Sequence, residues 1–308
     1  MSETPIAVPE RTILEKIFLS RNEPRLKAGW RLSFHTILMF LLFIIAGIVA
    51  FMLLAFFKVD SSSDASLLAI QFVSLLVISA ATFVARKFFD RRSIVSLGLK
   101  LNLQALYDLL AGIAITFLMM GLIYLIESAL GWTKFKSFSW QTENGAAVAT
   151  GLFVWLVIFL ITGWQEELLA RGYHLQNIAD GLNLTWGVIL SSLIFGFMHL
   201  GNPNSSLVAV AGIFLAGFFL ALPYILTRQL WLSIGLHIGW NFFEGVVFGF
   251  PVSGLTTYSL IQHTVTGPEL WTGGMFGPEA GLLLIPALVL GALLVYGYTR
   301  LPFRKAAL

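Results

Sequence analysis

Long apolar stretches separate short polar segments along almost the whole chain. A hydrocarbon layer about 30 Å thick is crossed by roughly 20 mostly apolar residues in a helix. Inside lipid, only helices and closed barrels satisfy every backbone hydrogen bond. Eight stretches fit this description: Phe34–Phe57, Ala65–Ala85, Leu109–Ile126, Ala146–Gly163, Leu184–His199, Ser205–Leu226, Trp231–Phe250 and Gly281–Tyr298. The sequence therefore predicts an all-α fold, a polytopic membrane helical bundle of about eight transmembrane helices.

The composition excludes the main alternatives. Hydrophobic residues make up 57% of the 308 residues and charged residues 11%, whereas soluble domains are about a quarter charged and disordered chains are polar. The chain has no cysteine, which excludes disulfides, thiolate metal sites and a cysteine nucleophile. The net charge of +3 is too small to indicate a nucleic-acid partner, and we expect none.

The distribution of Lys and Arg predicts the orientation in the membrane. If the N-terminus lies inside, the outer segments hold only Lys58, Lys134 and Lys136, and the inner segments hold the rest of the 19 Lys and Arg residues. Cytoplasmic loops of membrane proteins carry an excess of these residues. We therefore expect a multi-pass protein of the cell membrane with both termini in the cytoplasm.

The same pattern predicts one membrane domain between two tails. Residues 1–33 form a cytoplasmic N-terminal tail, 34–300 a single transmembrane domain with a catalytic core at about 146–250, and 301–308 a cytoplasmic C-terminal tail. Within the first tail, Arg11–Arg31 combines charges of both signs with apolar residues at helical spacing. This segment fits an amphipathic helix on the membrane surface and fits a mobile basic tail equally well.

Polar residues interrupt the apolar stretches at three places, all in the second half of the chain. An ionisable residue inside the bilayer costs roughly 2.5–3.5 kcal/mol on insertion scales, so it persists where it is paired or useful. At the end of the fourth stretch, Glu167 and Arg171 are four residues apart on one helical face, in the order that favours a salt bridge. Glu166 lies about 100° away around the helix. Solvated charges at a helix end would give the same pattern.

Histidines mark the other two places. His199 follows Phe195 by four residues in the fifth stretch, and His237 precedes Asn241 by four in the seventh. Each alone is compatible with a structural hydrogen bond between helices. Together with Glu166 they supply what a water-activating site requires. A carboxylate beside an imidazole can hold and deprotonate water, and a second imidazole with an amide can donate hydrogen bonds to an oxyanion.

The order and spacing of these residues resemble the motifs of the CPBP family of intramembrane proteases. This family contains the type II CAAX prenyl endopeptidases and relatives linked to bacteriocin self-immunity. Its pattern is E-E-x-x-x-R, then F-x-x-x-H, then H-x-x-x-N or D. The matching residues of the chain are Glu166, Glu167 and Arg171, then Phe195 and His199, then His237 and Asn241. The resemblance covers roughly Thr162–Glu244.

The resemblance implies a glutamic endopeptidase that hydrolyses a peptide bond inside the membrane. Six residues would build its site: Glu166 as the base that activates water, His199 as its partner, His237 and Asn241 as the oxyanion hole, and Glu167 and Arg171 as electrostatic support. Glu167 could also share in catalysis. The family pattern gives no role to Glu244 or His174. The implied substrate is a membrane-associated peptide or lipidated protein, prenylated near its C-terminus in the best-known branch.

Other functions remain open at this point. A proton-coupled transporter could use Glu166, Glu244 and the histidines as a relay, although the chain shows no internal repeat of the kind that many carriers have. A non-catalytic scaffold or immunity protein could keep the same bundle. We expect no cofactor. Zinc held by Glu166, His199 and His237 is an alternative, but the H-E-x-x-H motif is absent and Asn241 is a poor fourth ligand.

The implied contact between Glu166 and His199 also predicts a long helix. His199 lies about 22 Å along a helix that starts at Leu184. It can contact Glu166 only if the fourth helix continues well beyond Glu166. We expect one helix from about Ala146 to Ala179. We also expect the site to lie in a water-filled cavity in the inner half of the bilayer, open to the cytoplasm.

Overall fold

The computed structural model describes residues 11–20, 23, 25–60 and 63–302. Within these ranges the chain is mostly helical, and six helices are long and apolar enough to cross a membrane: Ala28–Phe56, Ala65–Phe89, Leu103–Ala129, Gly145–Gly181, Leu184–Gly201 and Leu207–Thr227. The last two predicted stretches form shorter helices that begin at Trp231 and Leu284. A multi-pass helical bundle is therefore confirmed, whereas the count of eight and the orientation of the termini stay predictions.

The described ranges contain helices and strands in the following order: α1 (Ile13–Phe18), α2 (Ala28–Phe56), α3 (Asp64–Val84), α4 (Leu103–Ala129), β1 (Thr133–Phe138), α5 (Ser139–Thr142), α6 (Gly145–Glu167), α7 (Leu175–Gly181), α8 (Leu184–Met198), α9 (Leu207–Thr227), α10 (Trp231–Asn241), β2 (Ile261–Val265), α11 (Glu269–Thr272) and α12 (Leu284–Thr299). Turns of π-helix extend α3, α6 and α10, at Ala85–Phe89, Leu168–His174 and Phe242–Val247. Short 3-10 turns cover Ile94–Leu97, His199–Gly201 and Pro278–Ala280.

Polar caps determine where several membrane helices begin. The side chains of Asn102, Asn144, Asn183 and Ser206 each accept a hydrogen bond from the backbone N–H three residues later, at the starts of α4, α6, α8 and α9. Such a cap satisfies one of the free N–H groups at a helix N-terminus. An apolar stretch that follows one of these residues therefore becomes helical from a defined point.

The first membrane helix begins earlier than the sequence predicts. α2 starts at Ala28 rather than at residue 34. Its first turns contain polar residues that have partners on other helices: Arg31 lies 3.6 Å from the Asp90 carboxylate, and the His35 ring nitrogen lies 3.3 Å from the Thr82 hydroxyl. Apolar periodicity gives no signal for residues that are buried through such long-range pairs.

The N-terminal tail contains a short helix before α2. Within Arg11–Arg31, α1 covers Ile13–Phe18, and Ile13 and Leu14 are exposed. The Phe18 ring packs against Trp30 at the start of α2, with ring centroids 4.8 Å apart. Residues 1–10 and 303–308, which belong to the two predicted tails, lie outside the described residues.

The fourth membrane helix has the length that the sequence predicts. α6, the π turn and α7 form one continuous helix of 37 residues from Gly145 to Gly181. Glu166 consequently lies inside this helix, about 22 Å from its C-terminal end. It can therefore meet a residue at the far end of the neighbouring α8, whose N-terminus lies beside α7.

A small sheet makes the all-α prediction incomplete. β1 and β2 pair antiparallel, with Thr133 opposite Val265 and Phe138 opposite Ile261. β1 follows α4 and β2 comes after α10, so the sheet joins the segments beyond the ends of these two helices. Both strands are short and far apart in sequence, and alternation over five or six residues does not predict such a pairing.

α10 is the central helix of the bundle, and its residues from Leu232 to Asn241 are buried. It contacts α4, α6 and α9. Glycines allow the contact with α4 to be close: a Cβ at Gly235 would lie 2.1 Å from the Leu109 carbonyl oxygen, and one at Gly112 would lie 2.5 Å from the Leu236 nitrogen. Small residues let membrane helices approach in this way, and here they allow α10 to pack closely against α4.

Candidate active site

Three membrane segments bring one carboxylate and two imidazoles together. Glu166 lies on α6, His199 directly follows α8, and His237 lies on α10. The Oε2 atom of Glu166 is 3.9 Å from Nε2 of His199 and 3.7 Å from Nε2 of His237. The predicted contact between Glu166 and His199 is therefore present, and His237 joins it.

The spacing of these three atoms suits a shared water. Distances of 3.7 and 3.9 Å are too long for direct hydrogen bonds, but one water can be within hydrogen-bond distance of all three atoms. Oε2 of Glu166 is buried and has no hydrogen-bond partner among the residues that the structure describes. Burying an acceptor without a donor is costly, so this oxygen is positioned to bind a ligand or water.

The neighbouring glutamate points away from this position. Glu167 is fully buried, and its Oε1 accepts a hydrogen bond from Arg171 Nη1 at 2.7 Å. The same oxygen lies 2.8 Å from Nδ1 of His237. Because a carboxylate oxygen accepts hydrogen bonds, His237 donates this second hydrogen bond through Nδ1–H, and its Nε2 faces Glu166. The predicted salt bridge between Glu167 and Arg171 is confirmed.

Arg171 and Phe195 pack against the histidines of the site. The second guanidinium nitrogen of Arg171 donates to the Gly217 carbonyl at 3.0 Å, and the guanidinium carbon lies 4.4 Å from the centroid of the Phe195 ring. The same ring contacts His199 and His237, with centroids 4.9 and 6.0 Å apart. The phenylalanine that precedes His199 by one turn therefore contacts Arg171 and both imidazoles.

The surroundings of His199 define its tautomer. Its Nδ1 lies 2.8 Å from the Phe195 carbonyl oxygen. A carbonyl oxygen only accepts hydrogen bonds, so Nδ1 carries the hydrogen and donates. In the neutral imidazole the lone pair is then on Nε2, which faces Glu166. His199 can accept a hydrogen bond from a water in that position.

Two π-helical turns directly follow residues of the site. One begins after Glu167 and the other after Asn241. Such turns are uncommon and occur frequently at functional sites. A π turn changes the angle between successive side chains, and Arg171 donates to Glu167 from within the first of these turns.

A cavity of about 410 Å³ contains these groups at one end. Glu166, His199, His237 and Asn241 line it, and Asn241 lies one turn after His237 on the same wall of α10. Most of the remaining lining is apolar, including Trp155, Phe159, Ile213, Phe219, Leu236 and Trp240. A mainly apolar cavity with a few convergent polar groups is typical of a ligand or substrate site.

Ser253 and Glu279 also line the cavity, and the sequence analysis did not identify them. Oε2 of Glu279 accepts hydrogen bonds from the backbone nitrogen and the hydroxyl of Ser253, at 2.6 and 2.7 Å. Burial raises the pKa of Glu279 above its usual range. Both residues belong to the segment between α10 and α12, which folds back into the bundle. In the sequence, the feature that indicates a role for Glu279 is its position as an isolated acid in a Gly-rich apolar loop.

Two residues without an expected role lie outside the cavity lining. Glu244 is fully buried in the π turn after α10. His174 is buried near the other end of α6 and its extension, where its ring contacts His35 with centroids 6.0 Å apart. Neither contacts the cluster formed by Glu166, His199 and His237 in the contacts that the structure describes.

The lining residues show along which part of the bundle the cavity extends. His237 lies about 9 Å along α10 from Trp231, whereas Glu166 lies about 22 Å from Gly181 at the end of α7, so the cluster lies well inside the bundle. The cavity, however, extends from Glu166 toward the start of α3 and the segment after α10. None of its lining residues comes from residues 90–102, 182–183 or 228–230, all of which the structure describes. The expectation of a cavity in the inner half of the bilayer that opens to the cytoplasm depends on the orientation of the termini, and it stays a prediction.

The described residues include no group of three or more His, Cys, Asp or Glu side chains that could hold a metal ion. Glu166, His199 and His237 come close together, but Glu166 Oε2 is nearly 4 Å from each imidazole nitrogen. This geometry gives no specific support to the zinc alternative.

Comparison with known families agrees with the motifs. Residues 148–243 match the family described as type II CAAX prenyl endopeptidase Rce1-like. The matched segment includes all six residues from Glu166 to Asn241 that the sequence analysis selected, and the resemblance is confirmed over this segment. No curated protein and no solved structure matches the chain. At the level of the family, the match implies a membrane peptidase with a membrane-associated peptide substrate.

Proposed function

Starting from the Rce1-like segment, we propose that this chain is an intramembrane glutamic endopeptidase in which Glu166 and His199 activate a water. One observation carries the proposal: Glu166 Oε2 lies within 4 Å of two imidazole Nε2 atoms, at the polar end of an apolar cavity. The two histidines and the acid come from three separate membrane segments, and a purely structural hydrogen-bond clamp would bring them into direct contact.

In the first step, the water loses a proton to the Glu166 carboxylate while its oxygen attacks the carbonyl carbon of the substrate. Nε2 of His199 accepts the second hydrogen of the water in a hydrogen bond, which orients the water lone pair toward the carbonyl. General-base assistance of this kind contributes about 10²–10⁴-fold to a rate.

The negative charge that develops on the carbonyl oxygen is stabilised by His237 and Asn241. The Asn241 amide donates one hydrogen bond. His237 donates a second through Nε2 when it is an imidazolium, because its other hydrogen is already directed to Glu167. The buried Glu167 carboxylate, 2.8 Å away, offsets this positive charge. Donors placed where charge develops are a large part of enzymatic rate enhancement.

In the second step, the intermediate collapses and the carbon–nitrogen bond breaks. Glu166 returns its proton to the leaving nitrogen, which departs as an amine, and the acyl part of the substrate leaves as a carboxylic acid. The carboxylate of Glu166 is regenerated. No covalent bond between protein and substrate forms, so the chain requires no serine or cysteine nucleophile.

The cavity lining supports a membrane-associated peptide as substrate. Aromatic and aliphatic side chains, including Trp155, Phe159 and Phe219, surround the polar end. Apolar substrate side chains, or a lipid near the cleaved bond, would bury surface there at about 25 cal/mol per Å². We propose a peptide from a membrane protein or a lipidated protein, with a prenylated C-terminus as one member of this class.

Cleavage of a peptide library by the purified full-length protein in lipid nanodiscs tests the proposal. The library contains each sequence with and without a farnesyl group, and mass spectrometry identifies the products. Glu166→Gln and His199→Ala should abolish most cleavage. Glu143→Gln is the matched control, because it makes the same carboxylate-to-amide change at an exposed residue outside the cavity.

The outcomes separate the proposed function from its alternatives. Product formation by the parent and by Glu143→Gln, lost in Glu166→Gln and His199→Ala, supports the proposal. Equal cleavage by all four proteins would contradict it. A parent protein that cleaves none of the peptides, while sealed vesicles show solute or proton flux, would indicate a transporter instead.

A further inference from the structure

A second carboxyl group lines the cavity of the active site. Glu279 is 4% exposed, and it has hydrogen bonds but no ion pair with a Lys or Arg among the residues that the structure describes. Acidic side chains are almost never fully buried without a partner of opposite charge. Two other buried acids of the bundle follow this rule, since Glu167 is paired with Arg171 and Asp90 with Arg86. Glu279 therefore lacks the counter-charge that comparable acids have.

Close packing and hydrogen bonds fix the position of this carboxyl group. Glu279 lies in the 3-10 turn Pro278–Ala280, which packs directly on α9, because a Cβ at Gly212 would lie 1.8 Å from the Glu279 carbonyl oxygen. Oε2 of Glu279 accepts hydrogen bonds from the backbone nitrogen and the hydroxyl of Ser253. The side chain is thus held in one orientation, which is what a binding group requires.

The two oxygen atoms of Glu279 differ in their surroundings. Both hydrogen bonds from Ser253 go to Oε2, and Oε1 accepts none from the residues that the structure describes. An ionised carboxylate has about four sites that accept hydrogen bonds. Glu279 therefore keeps the capacity to accept hydrogen bonds from a ligand in the cavity that it lines.

Acidic groups outnumber fixed positive charges around the cavity. In the described part of the chain its lining includes the carboxyl groups of Glu166 and Glu279 but no Lys or Arg, and its other ionisable residues are two histidines. The fully buried Glu244 adds a third carboxyl group beside the lining, with Oε1 3.3 Å from the Cβ position of Gly277. A cavity whose charges have mainly one sign concentrates ligands of the opposite sign, so this one favours a cation.

The rest of the lining indicates the shape of that cation. Most of it is apolar, including Phe159, Ile213 and Phe219. Lys and Arg pack their long apolar stems against such surfaces while the charged head lies in a polar position. A free amino terminus carries the same charge without the stem. The cavity therefore fits a Lys or Arg side chain better than it fits a free amino terminus.

We infer that Glu279 binds a Lys or Arg side chain of the substrate, close to the bond that is cleaved. The inference rests on the proposed function and narrows its substrate class to peptides with a basic residue near the cleavage site. Glu279 and Glu166 line one cavity of about 410 Å³, so both contact the same short segment of a bound peptide. Burial alone favours the neutral acid, and a bound cation favours the carboxylate. Glu166 remains the base that activates water.

Matched peptides test the inference with the purified full-length protein in lipid nanodiscs. A peptide that the parent cleaves is made with Lys, Arg, Nε-acetyl-lysine or norleucine at each position around the cleaved bond, and with a free or acetylated amino terminus. Acetyl-lysine keeps the stem and removes the charge. The ratio of kcat/KM between charged and uncharged peptides is measured for the parent, for Glu279→Gln and for Glu143→Gln, which is the exposed control outside the cavity.

In the parent and in Glu143→Gln, we expect Lys or Arg at one position to raise kcat/KM by about tenfold or more over the uncharged residues, because a hydrogen bond to a charged group is worth roughly 1.5–3 kcal/mol. In Glu279→Gln this preference should disappear. The readout is a ratio, so a general loss of folded protein does not decide it. A parent without the preference would overturn the inference, as would an undiminished preference in Glu279→Gln or a preference only for a free amino terminus.

A binding measurement separates failure of the inference from failure of the proposed function, because binding requires no catalysis. Fluorescent peptides with Lys or acetyl-lysine are titrated onto Glu166→Gln and onto the Glu166→Gln/Glu279→Gln double variant. Equal binding of the two peptides to Glu166→Gln would overturn the inference, even for a protein that cleaves peptides. Tighter binding of the Lys peptide that requires Glu279, in a protein whose parent cleaves none of the library, would support the inference and contradict the proposed function.

Discussion

Two buried acid–arginine pairs, each spanning one helical turn, lie at different depths of this bundle. Arg86 and Asp90 are 2.9 Å apart, and Glu167 and Arg171 are 2.7 Å apart. All four side chains are almost inaccessible to solvent. The pairs have the same spacing and chemistry, so what distinguishes them is the set of groups around each pair.

The Arg86–Asp90 pair is surrounded by protein partners. Asp90 also lies within 3.4 Å of Tyr173 and Asn177, and Arg86 donates to Ser96 and Gln176. In the Glu167–Arg171 pair, Oε1 of Glu167 also contacts Nδ1 of His237. The other ring nitrogen of His237, Nε2, faces the cavity. Buried hydrogen-bond networks between protein side chains add rigidity. The Glu167–Arg171 network also reaches the cavity through His237, where it can bind and polarise another molecule. We expect only this second network to affect the reaction.

The strongest test of the comparison is Glu166→Gln, beside the network that reaches the cavity. We expect a loss of about 10²–10⁴-fold in kcat, because the amide cannot accept the proton of the water. The thermal midpoint should change little, since Oε2 of Glu166 has no hydrogen-bond partner in the described part of the chain. Steady-state cleavage and thermal unfolding of the same preparation give both values. A variant with parental kcat would remove Glu166 from catalysis.

Asp90→Asn makes the same chemical change at the Arg86–Asp90 network and should act on stability. It leaves Arg86 and Arg31 without their buried counter-charge, and breaking such a pair costs about 3–5 kcal/mol. The free energy of unfolding in detergent measures the loss, with Glu143→Gln as the exposed control, for which we expect a change within about 0.5 kcal/mol. The folded fraction of Asp90→Asn should retain parental kcat. A selective loss of kcat without destabilisation would make the two networks equivalent.

Asn241→Ala sharpens the comparison within the cavity itself. Removing one oxyanion donor lowers kcat by about 10²–10³-fold, with little change in KM, because the hydrogen bond forms mainly in the transition state. Asn202→Ala is the matched control, since Asn202 also lines the cavity but donates to the Ser253 carbonyl at 2.9 Å. Equal losses of kcat in the two variants would argue against an oxyanion role for Asn241.

Treatment with a chelator should have the smallest effect. If Glu166 and His199 activate the water without a metal, cleavage by protein treated with phenanthroline or EDTA equals that of untreated protein. Loss of cleavage that zinc restores would instead support the zinc alternative. Metal analysis of the purified protein by mass spectrometry accompanies this measurement.

The sequence predicted those parts of the fold and site that local patterns determine. Apolar stretches located most membrane helices, and the need for Glu166 to reach His199 predicted the long helix that ends at Gly181. The spacing of Glu167 and Arg171 predicted their salt bridge. Each of these features depends on residues that are close in sequence, or on one distance along a helix.

Features that depend on long-range contacts were not predictable in this way. The start of α2 moved to Ala28 because Arg31 is buried against Asp90, which is far away in sequence. The contact between Ser253 and Glu279 depends on a loop that folds back between helices. The direction of the cavity depends on how side chains of several helices pack together, and none of these residues signals it alone.

The central claim is that Glu166 and His199 act on one water, and a double-mutant cycle on cleavage tests it most directly. Residues that act as a unit are strongly non-additive. We predict that kcat of the Glu166→Gln/His199→Ala double variant lies within about threefold of the slower single variant. Losses that multiply, so that the double variant is slower by the product of the two single effects, would show that the two side chains act independently and would contradict the account.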